Sequence, residues 1–280
     1  ETAPFYNYTV TDFKVLSNGQ LAYWTPLPNK VYHLLNQDFE LVDSVQCEGI
    51  QVLDEHDIAV DKQGNMMIMC DSVVFRDASN IKTRDSIPGS TNCSILYQVF
   101  QELDSNRNVI HNWHSVDELG VENTDIAHWG DPSSMDHTHA NSVFLDDLGG
   151  NIISNRNMCE ITRYDRATGQ VKWRFGGKAN QFTVLNDSTL FSYQHDADIA
   201  PNGNLYLFDN SVIDPPTVAR YLEYELDTIN MTATLVREIR HPGGFLSKFM
   251  GNAILMDNGH VIVGWGGLDT PDPQTEVTEF

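Results

Sequence analysis

Arg163-Tyr164-Asp165-Arg166-Ala167-Thr168-Gly169-Gln170-Val171-Lys172-Trp173-Arg174 reads as two short strands folded about a polar turn that ends in glycine. Just upstream, the turn Gly149-Gly150 leads into a second short strand, Asn151–Ser154. Two hairpins in succession make four strands, the content of one propeller blade. The unit recurs along the chain. The turns Asn18-Gly19, Gln63-Gly64, Gly149-Gly150, Asn202-Gly203 and Asn258-Gly259 precede the strands Leu21–Trp24, Met66–Met69, Asn151–Ser154, Leu205–Phe208 and Val261–Trp265. Asn-Gly between apolar runs marks a hairpin, because type I′ turns need positive φ at both central residues. Outer hairpins follow at Val31–Val45, Tyr97–Trp113, Tyr164–Phe175 and Tyr221–Ile239.

The turn glycines are 45, 86, 53 and 56 residues apart, and the long gap holds one outer hairpin plus polar loops near 77–92 and 115–136. It therefore reads as one blade with insertions. The expectation is an all-β propeller of five or six four-stranded blades, forming one domain over residues 1–280. Phe5–Val10 is expected to supply a partner for the last blade, and residues 269–280, polar and proline-containing, to be a loose end.

Composition narrows the function. Of the 280 residues 41% are hydrophobic, enough for a packed core, and 17 Lys and Arg stand against 39 Asp and Glu, a formal charge of −22. Such a surface repels nucleic acid. No run reaches the ~20 apolar residues of a membrane span. The opening Glu1-Thr2-Ala3-Pro4 reads as a processed or trimmed start. Four sequons, at Asn7, Asn92, Asn186 and Asn230, point to a secreted or periplasmic protein with candidate glycosylation sites. Cys47, Cys70, Cys93 and Cys159 contain no CxxC pair, which argues against a zinc ribbon. A Cys70–Cys93 bridge is one of the pairings open to them, with free buried thiols as the alternative.

Aligning the copies on their turns brings out three histidines. His56 lies nine residues before Asn65, His195 nine before Asn204, and His139 twelve before Asn151. All three open an inner hairpin, where equivalent residues of different blades converge on the propeller axis. One such histidine would be unremarkable as a structural residue. Three in one register, missing from other copies, point to a shared site. Arg156 follows at the end of the strand returning beside His139, and its planar fork suits the oxygens of sulfate, phosphate or carboxylate. His128 and Trp129, in the inserted loop, stand near the mouth as candidate substrate contacts, although a loop tryptophan often packs locally. His137 alternates with His139 and would face the other way on a strand. With Asn141 it completes the candidate substrate-binding set. His33, His111, His114, His241 and His260 read as structural or surface residues.

Three histidines and an arginine, without a local Ser or Cys nucleophile motif, suit transfer of an anionic group. Imidazole can act as nucleophile and hold the group covalently, its neighbours can move protons near neutral pH, and arginine can neutralise the oxyanion in flight. The absence of GxxxxGK[ST] excludes a nucleotide cradle of that type.

The chain here resembles the bacterial-type arylsulfotransferases, propeller enzymes that work without the nucleotide sulfate donor. The resemblance is carried in order by Glu55-His56-Asp57, His139-Ala140-Asn141-Ser142, Ser154-Asn155-Arg156, Ile161-Thr162-Arg163-Tyr164-Asp165, Gly169 to Gly177, Gln194-His195-Asp196-Ala197, Leu207-Phe208-Asp209-Asn210 and Gly251-Asn252-Ala253. It implies six blades. It implies that His195 becomes transiently sulfated, while His56, His139 and Arg156 hold the sulfuryl oxygens and shuttle protons. The substrates would be a small aryl sulfate and a phenol, in ping-pong, with no cofactor. Two other classes fit the same residues: a His-ligated metal-dependent hydrolase, against which Arg156 beside a cation counts, and a secreted binding or structural propeller without catalysis.

Overall fold

The computed structural model describes residues 10–26, 29–49, 52–146, 148–212, 217–267 and 276–280. These form five mainly antiparallel sheets whose inner strands follow one another in chain order, the blades of a five-bladed β-propeller. The first sheet holds β1 (Thr11–Val15), β2 (Leu21–Thr25), β3 (Val31–Leu35) and β4 (Leu41–Val45). The second holds β5 (Val52–Val60), β6 (Met66–Arg76), β7 (Cys93–Leu103) and β8 (Val109–His114), with β9 (Ser134–Asp136) added parallel to β7. The third is β10 (Ala140–Leu145), β11 (Gly150–Asn155), β12 (Glu160–Asp165) and β13 (Val171–Gly176). In the fourth, β14 (Thr183–Leu185) runs parallel to the outer strand β18 (Thr232–Arg240), followed inward by β17 (Arg220–Asp227), β16 (Leu205–Asp209) and β15 (His195–Ile199). The fifth holds β19 (Asn252–Leu255), β20 (Val261–Gly264) and β21 (Val277–Glu279).

Five is thus the blade count, the lower of the two numbers allowed by the repeat. The third strand of the last blade comes from the C-terminal residues expected to be loose: Val277–Glu279 pairs with Ile262–Gly264. Phe5–Tyr8, part of the segment expected in that place, lies outside the described residues. The turns also differ from the type I′ expected. Gly19, Gly64, Gly149, Gly203 and Gly259 have φ between 80° and 89°, while the residue before each is not left-handed. Each glycine N–H bonds the carbonyl three residues back, as Gly19 does to Leu16 at 2.8 Å and Gly203 to Ala200 at 2.8 Å. These are type I turns closed by a left-handed glycine, the three-residue hairpin.

The chain divides into two compact units, residues 1–73 with 97–115, and residues 74–96 with 116–280. In the first unit Cys47 is bonded to Cys70, with Cα atoms 6.1 Å apart. This corrects the Cys70–Cys93 pairing, since the chain after β4 returns beside β6. Cys93 and Cys159 are buried free thiols. Lys14 bonds Asp57 and lies 2.9 Å from Asp12, whose other oxygen accepts from the Tyr32 hydroxyl at 2.8 Å. In the second unit, aromatic rings meet edge to face, as Phe175 does with Phe191 and Tyr224, and Phe208 with Trp265. Trp173, Phe175, Phe182, Phe191, Leu207 and Tyr224 form one buried cluster, and Phe208, Tyr221, Val263 and Trp265 another. Aromatic packing of this size dominates core energetics.

The first strands of four sheets share an irregularity. Pairing shifts between Thr11 and Lys14 in β1, Leu53 and Ile58 in β5, Ala140 and Ser142 in β10, and His195 and Asp198 in β15. Such bulges re-aim a side chain from its expected face. Three of the four lie at or next to the aligned histidines. No helix among the described residues is long and apolar enough to cross a membrane.

Candidate active site

His195 opens β15 and is 8% exposed. Its Nδ1 lies 2.7 Å from Asn210 Oδ1 and 3.1 Å from the Tyr193 carbonyl, while its Nε2 accepts from the Met250 N–H at 3.2 Å. The Asn210 amide is unambiguous: its Nδ2 donates to the carbonyls of Ser247 (3.0 Å) and Met250 (2.9 Å), so its oxygen faces the histidine. Two acceptors at Nδ1 and a donor at Nε2 define the tautomer as Nδ1–H.

The backbone around this ring is strained. Tyr193 and Asp196 have φ of 53° and 52°, His139 44°, Cys159 52° and Met250 59°. A non-glycine residue there costs of order 1–3 kcal/mol and persists only where the surroundings hold it. Here Asp209 does so: its Oδ1 accepts the N–H groups of Ser192 (2.9 Å) and Ser211 (2.8 Å), pinning the residues before His195 and after Asn210. Next to Met250, Gly251 has φ of 100°, and a Cβ there would collide with the Phe208 ring.

Arg156 begins a 3-10 turn, Arg156–Met158, that follows β11. Its guanidinium lies 4.8 Å from the centre of the ring of Tyr193, the residue whose carbonyl accepts from His195. Burial lowers its pKa from the usual arginine value, partly offset by Tyr193 and Asp136, and it remains a cation near neutral pH. Arg156 lines two cavities. One, of about 320 Å³, is shared with Asn210, Ser211, Val212, Leu246, Ser247, Lys248 and Phe249. The other, of about 360 Å³, contains Asp125, Trp129, Asp131, Asp136 and His139. His139 Nδ1 is 2.6 Å from Asp136 Oδ2, a carboxylate that orients the ring.

The structure therefore groups His139, Arg156 and Trp129 around one cavity, and ties Arg156 to His195 through Tyr193 and through Asn210. Trp129 is buried, with its Nε1 donating to the Ser134 carbonyl at 3.0 Å. Asn141 donates to the Gln194 carbonyl at 2.8 Å and so fixes the residue before His195. His137 is fully buried with Nδ1 2.7 Å from the Thr124 hydroxyl, and it lines neither cavity. The His128 side chain lies outside what the structure describes. His56 belongs to the other unit. Its Nδ1 is 2.8 Å from Asp54 Oδ1; burial lowers its pKa, but the hydrogen bond and charge of Asp54 outweigh that and raise it overall. Among the described residues, no group of three or more His, Cys, Asp or Glu side chains is placed to hold a metal ion.

Tyr193, Asp136 and Lys248 were not singled out from sequence, and Asn210 stood only within the segment Leu207–Asn210, without a role. Asn210 had a usable signal, since it stands just after a blade's returning strand, as Arg156 does. Lys248 sits in a connection without repeat register and had none.

A propeller with an imidazole held in one tautomer beside an arginine-lined cavity is a scaffold for handling an anion. The chain belongs to the arylsulfotransferase (ASST) family, whose model matches residues 27–269. Membership supports aryl sulfotransferase activity in general, with aryl sulfate and phenol as the substrate classes. No curated protein matches the chain. Among solved structures it is similar to a luciferin-regenerating enzyme (12% identity, TM-score 0.52, covering 98% of this chain and 78% of that one). It is also similar to a gluconolactonase from Xanthomonas campestris (12%, 0.50, 92% and 70%) and to a protein of unknown function from Bacteroides caccae (9%, 0.51, 92% and 71%). At these identities the likeness is one of fold alone.

Proposed function

We propose that this chain moves a sulfuryl group from an aryl sulfate to a phenol through a sulfo-histidine at His195. The observation that carries the reading is the posture of that ring: Nδ1 protonated against Asn210 and Tyr193, which leaves Nε2 unprotonated, its lone pair held by the Met250 N–H that an incoming sulfur displaces. Arg156 and Lys248 supply positive charge to the cavity that Asn210 shares, in a molecule whose net charge would otherwise repel a sulfate ester. Val212, Leu246 and Phe249 offer that cavity an apolar wall for an aryl group. His139, oriented by Asp136, serves proton transfer, and His56 is assigned with it through the family pattern. Trp129 walls the other cavity that Arg156 lines, beside His139, and Asn141 fixes the backbone before His195, while His137 supports the loop through Thr124.

The Cys47–Cys70 bridge supports a secreted or periplasmic location. Asn92, Asn186 and Asn230 are exposed and open to glycosylation in a eukaryotic secretory route, whereas Asn7 lies outside the described residues.

A binding propeller without catalysis is favoured by one observation, the Met250 N–H that already occupies Nε2. Intact-protein mass after incubation with 4-nitrophenyl sulfate separates the two. The transferase reading expects one added sulfuryl group, mapped to His195 and discharged by phenol. Absence of both adduct and nitrophenol release overturns it.

A further inference from the structure

We infer that Asn210 is the positioning residue of His195, and that its being an amide rather than a carboxylate governs how readily the sulfuryl group leaves the ring again. This rests on the reading of His195 as the sulfuryl carrier.

Asn210 is fully buried, and three of its four hydrogen-bonding positions are identified. Its Oδ1 takes the His195 Nδ1–H at 2.7 Å, and its Nδ2 grips the Ser247 and Met250 carbonyls at 3.0 and 2.9 Å. One side chain therefore sets both the ring's proton and the segment whose Met250 N–H rests on Nε2 at 3.2 Å. That N–H stands where sulfur must arrive, so loading of the ring displaces it.

The chemistry follows from what an amide oxygen can and cannot do. In loading, the Nε2 lone pair forms the N–S bond as the S–O bond to the aryl group breaks, and the phenolate leaves with that electron pair and is then protonated. The ring keeps its Nδ1 proton, because an amide oxygen accepts a hydrogen bond but does not accept the proton at neutral pH. The product is an N-sulfoimidazolium, a cationic ring carrying an anionic sulfonate and neutral overall. In discharge, a phenolate attacks sulfur, the N–S pair returns to Nε2, and the leaving group is neutral imidazole. A carboxylate at 210 would draw the Nδ1 proton away. Discharge would then have to expel an imidazolate, a far poorer leaving group.

The test uses the full chain and the variants Asn210→Asp and Asn210→Ala. Nitrogen-15 spectra of histidine-labelled protein read the His195 tautomer, and quenched-flow mass spectrometry reads loading by 4-nitrophenyl sulfate and discharge by phenol. The wild-type ring is expected to show a pyrrole-like Nδ1 and a pyridine-like Nε2. Asn210→Asp is expected to accumulate the adduct, with discharge slowed about 100-fold and loading affected less. Asn210→Ala is expected to lose the single tautomer and to load more slowly at unchanged KM. A carboxylate facing two carbonyls can also disturb folding, so melting is measured first. If Asn210→Asp does not fold, the wild-type tautomer and Asn210→Ala decide. A wild-type Nε2–H tautomer, or unchanged discharge in a folded Asn210→Asp, overturns the inference. A wild-type chain that shows the expected tautomer but takes up no sulfuryl group overturns the reading of His195 and leaves the positioning of its ring standing.

Discussion

Arg220 holds Asp209 through two hydrogen bonds to one oxygen, Nη2 to Oδ2 at 2.6 Å and Nε to Oδ2 at 2.9 Å, with both side chains almost wholly withdrawn from solvent. Burial, opposed by Arg220 and by the Ser192 and Ser211 N–H groups, holds the Asp209 carboxyl at about 6. Because Asp209 also anchors the backbone on either side of the site, the pair acts as the girder behind His195 and Asn210.

Removing the arginine leaves a buried carboxylate uncompensated. Arg220→Ala is expected to cost about 3–5 kcal/mol of stability near neutral pH. The deficit should shrink as acid protonates Asp209, which removes the charge that lacks a partner. Denaturant titrations of both proteins across that pH range check the sign as well as the size.

Arg156→Ala is expected to fold normally, since the side chain contributes one hydrogen bond to Asn157 and a stack on Tyr193. Sulfuryl transfer should fall by about 10²–10³ in kcat, the usual loss for one oxyanion donor. Arg156→Lys should restore only part of it, because an ammonium lacks the fork. Steady-state release of nitrophenol measures both.

His56 gives a pH-dependent contribution to stability. Its pKa is raised in the folded chain by Asp54, so the protonated ring stabilises the native state. That contribution is fully present below the unfolded value of about 6.5 and is lost as pH rises through the folded value. The Tm difference between wild type and His56→Gln should therefore be largest below about pH 6.5 and fade as pH rises above the raised folded value. A difference that grows with pH would contradict the sign.

The Cys47–Cys70 bridge closes a sequence separation of 23 residues. On loop-closure grounds the double variant Cys47→Ser/Cys70→Ser should lose about 3 kcal/mol. Denaturant unfolding followed by Trp24, which is buried in the same unit, reads the loss.

The blades were legible because their turns are local chemistry. Gly19, Gly64, Gly149, Gly203 and Gly259 sit where a left-handed residue is required, and apolar strands follow each one. The last blade's third strand was missed because Val277–Glu279 carries little burial of its own and pairs across a long sequence gap. The shared register of His56, His139 and His195 was visible as spacing, but the bulges that turn each first strand were not, since a bulge is a property of two strands together. The hold of Asn210 on His195 joins residues 15 apart, and its grip on Met250 spans 40. Links of that length leave no periodic trace in a single sequence.

Arg156 stands in the wall of both cavities. A single positive charge cannot be neutralised twice. An anion settled beside Lys248 would weaken the positive field felt on the side of Asp125, Asp131 and Asp136. On the proposed reading the two cavities therefore draw on one charge, and filling either with an anion weakens the hold of the other on a second.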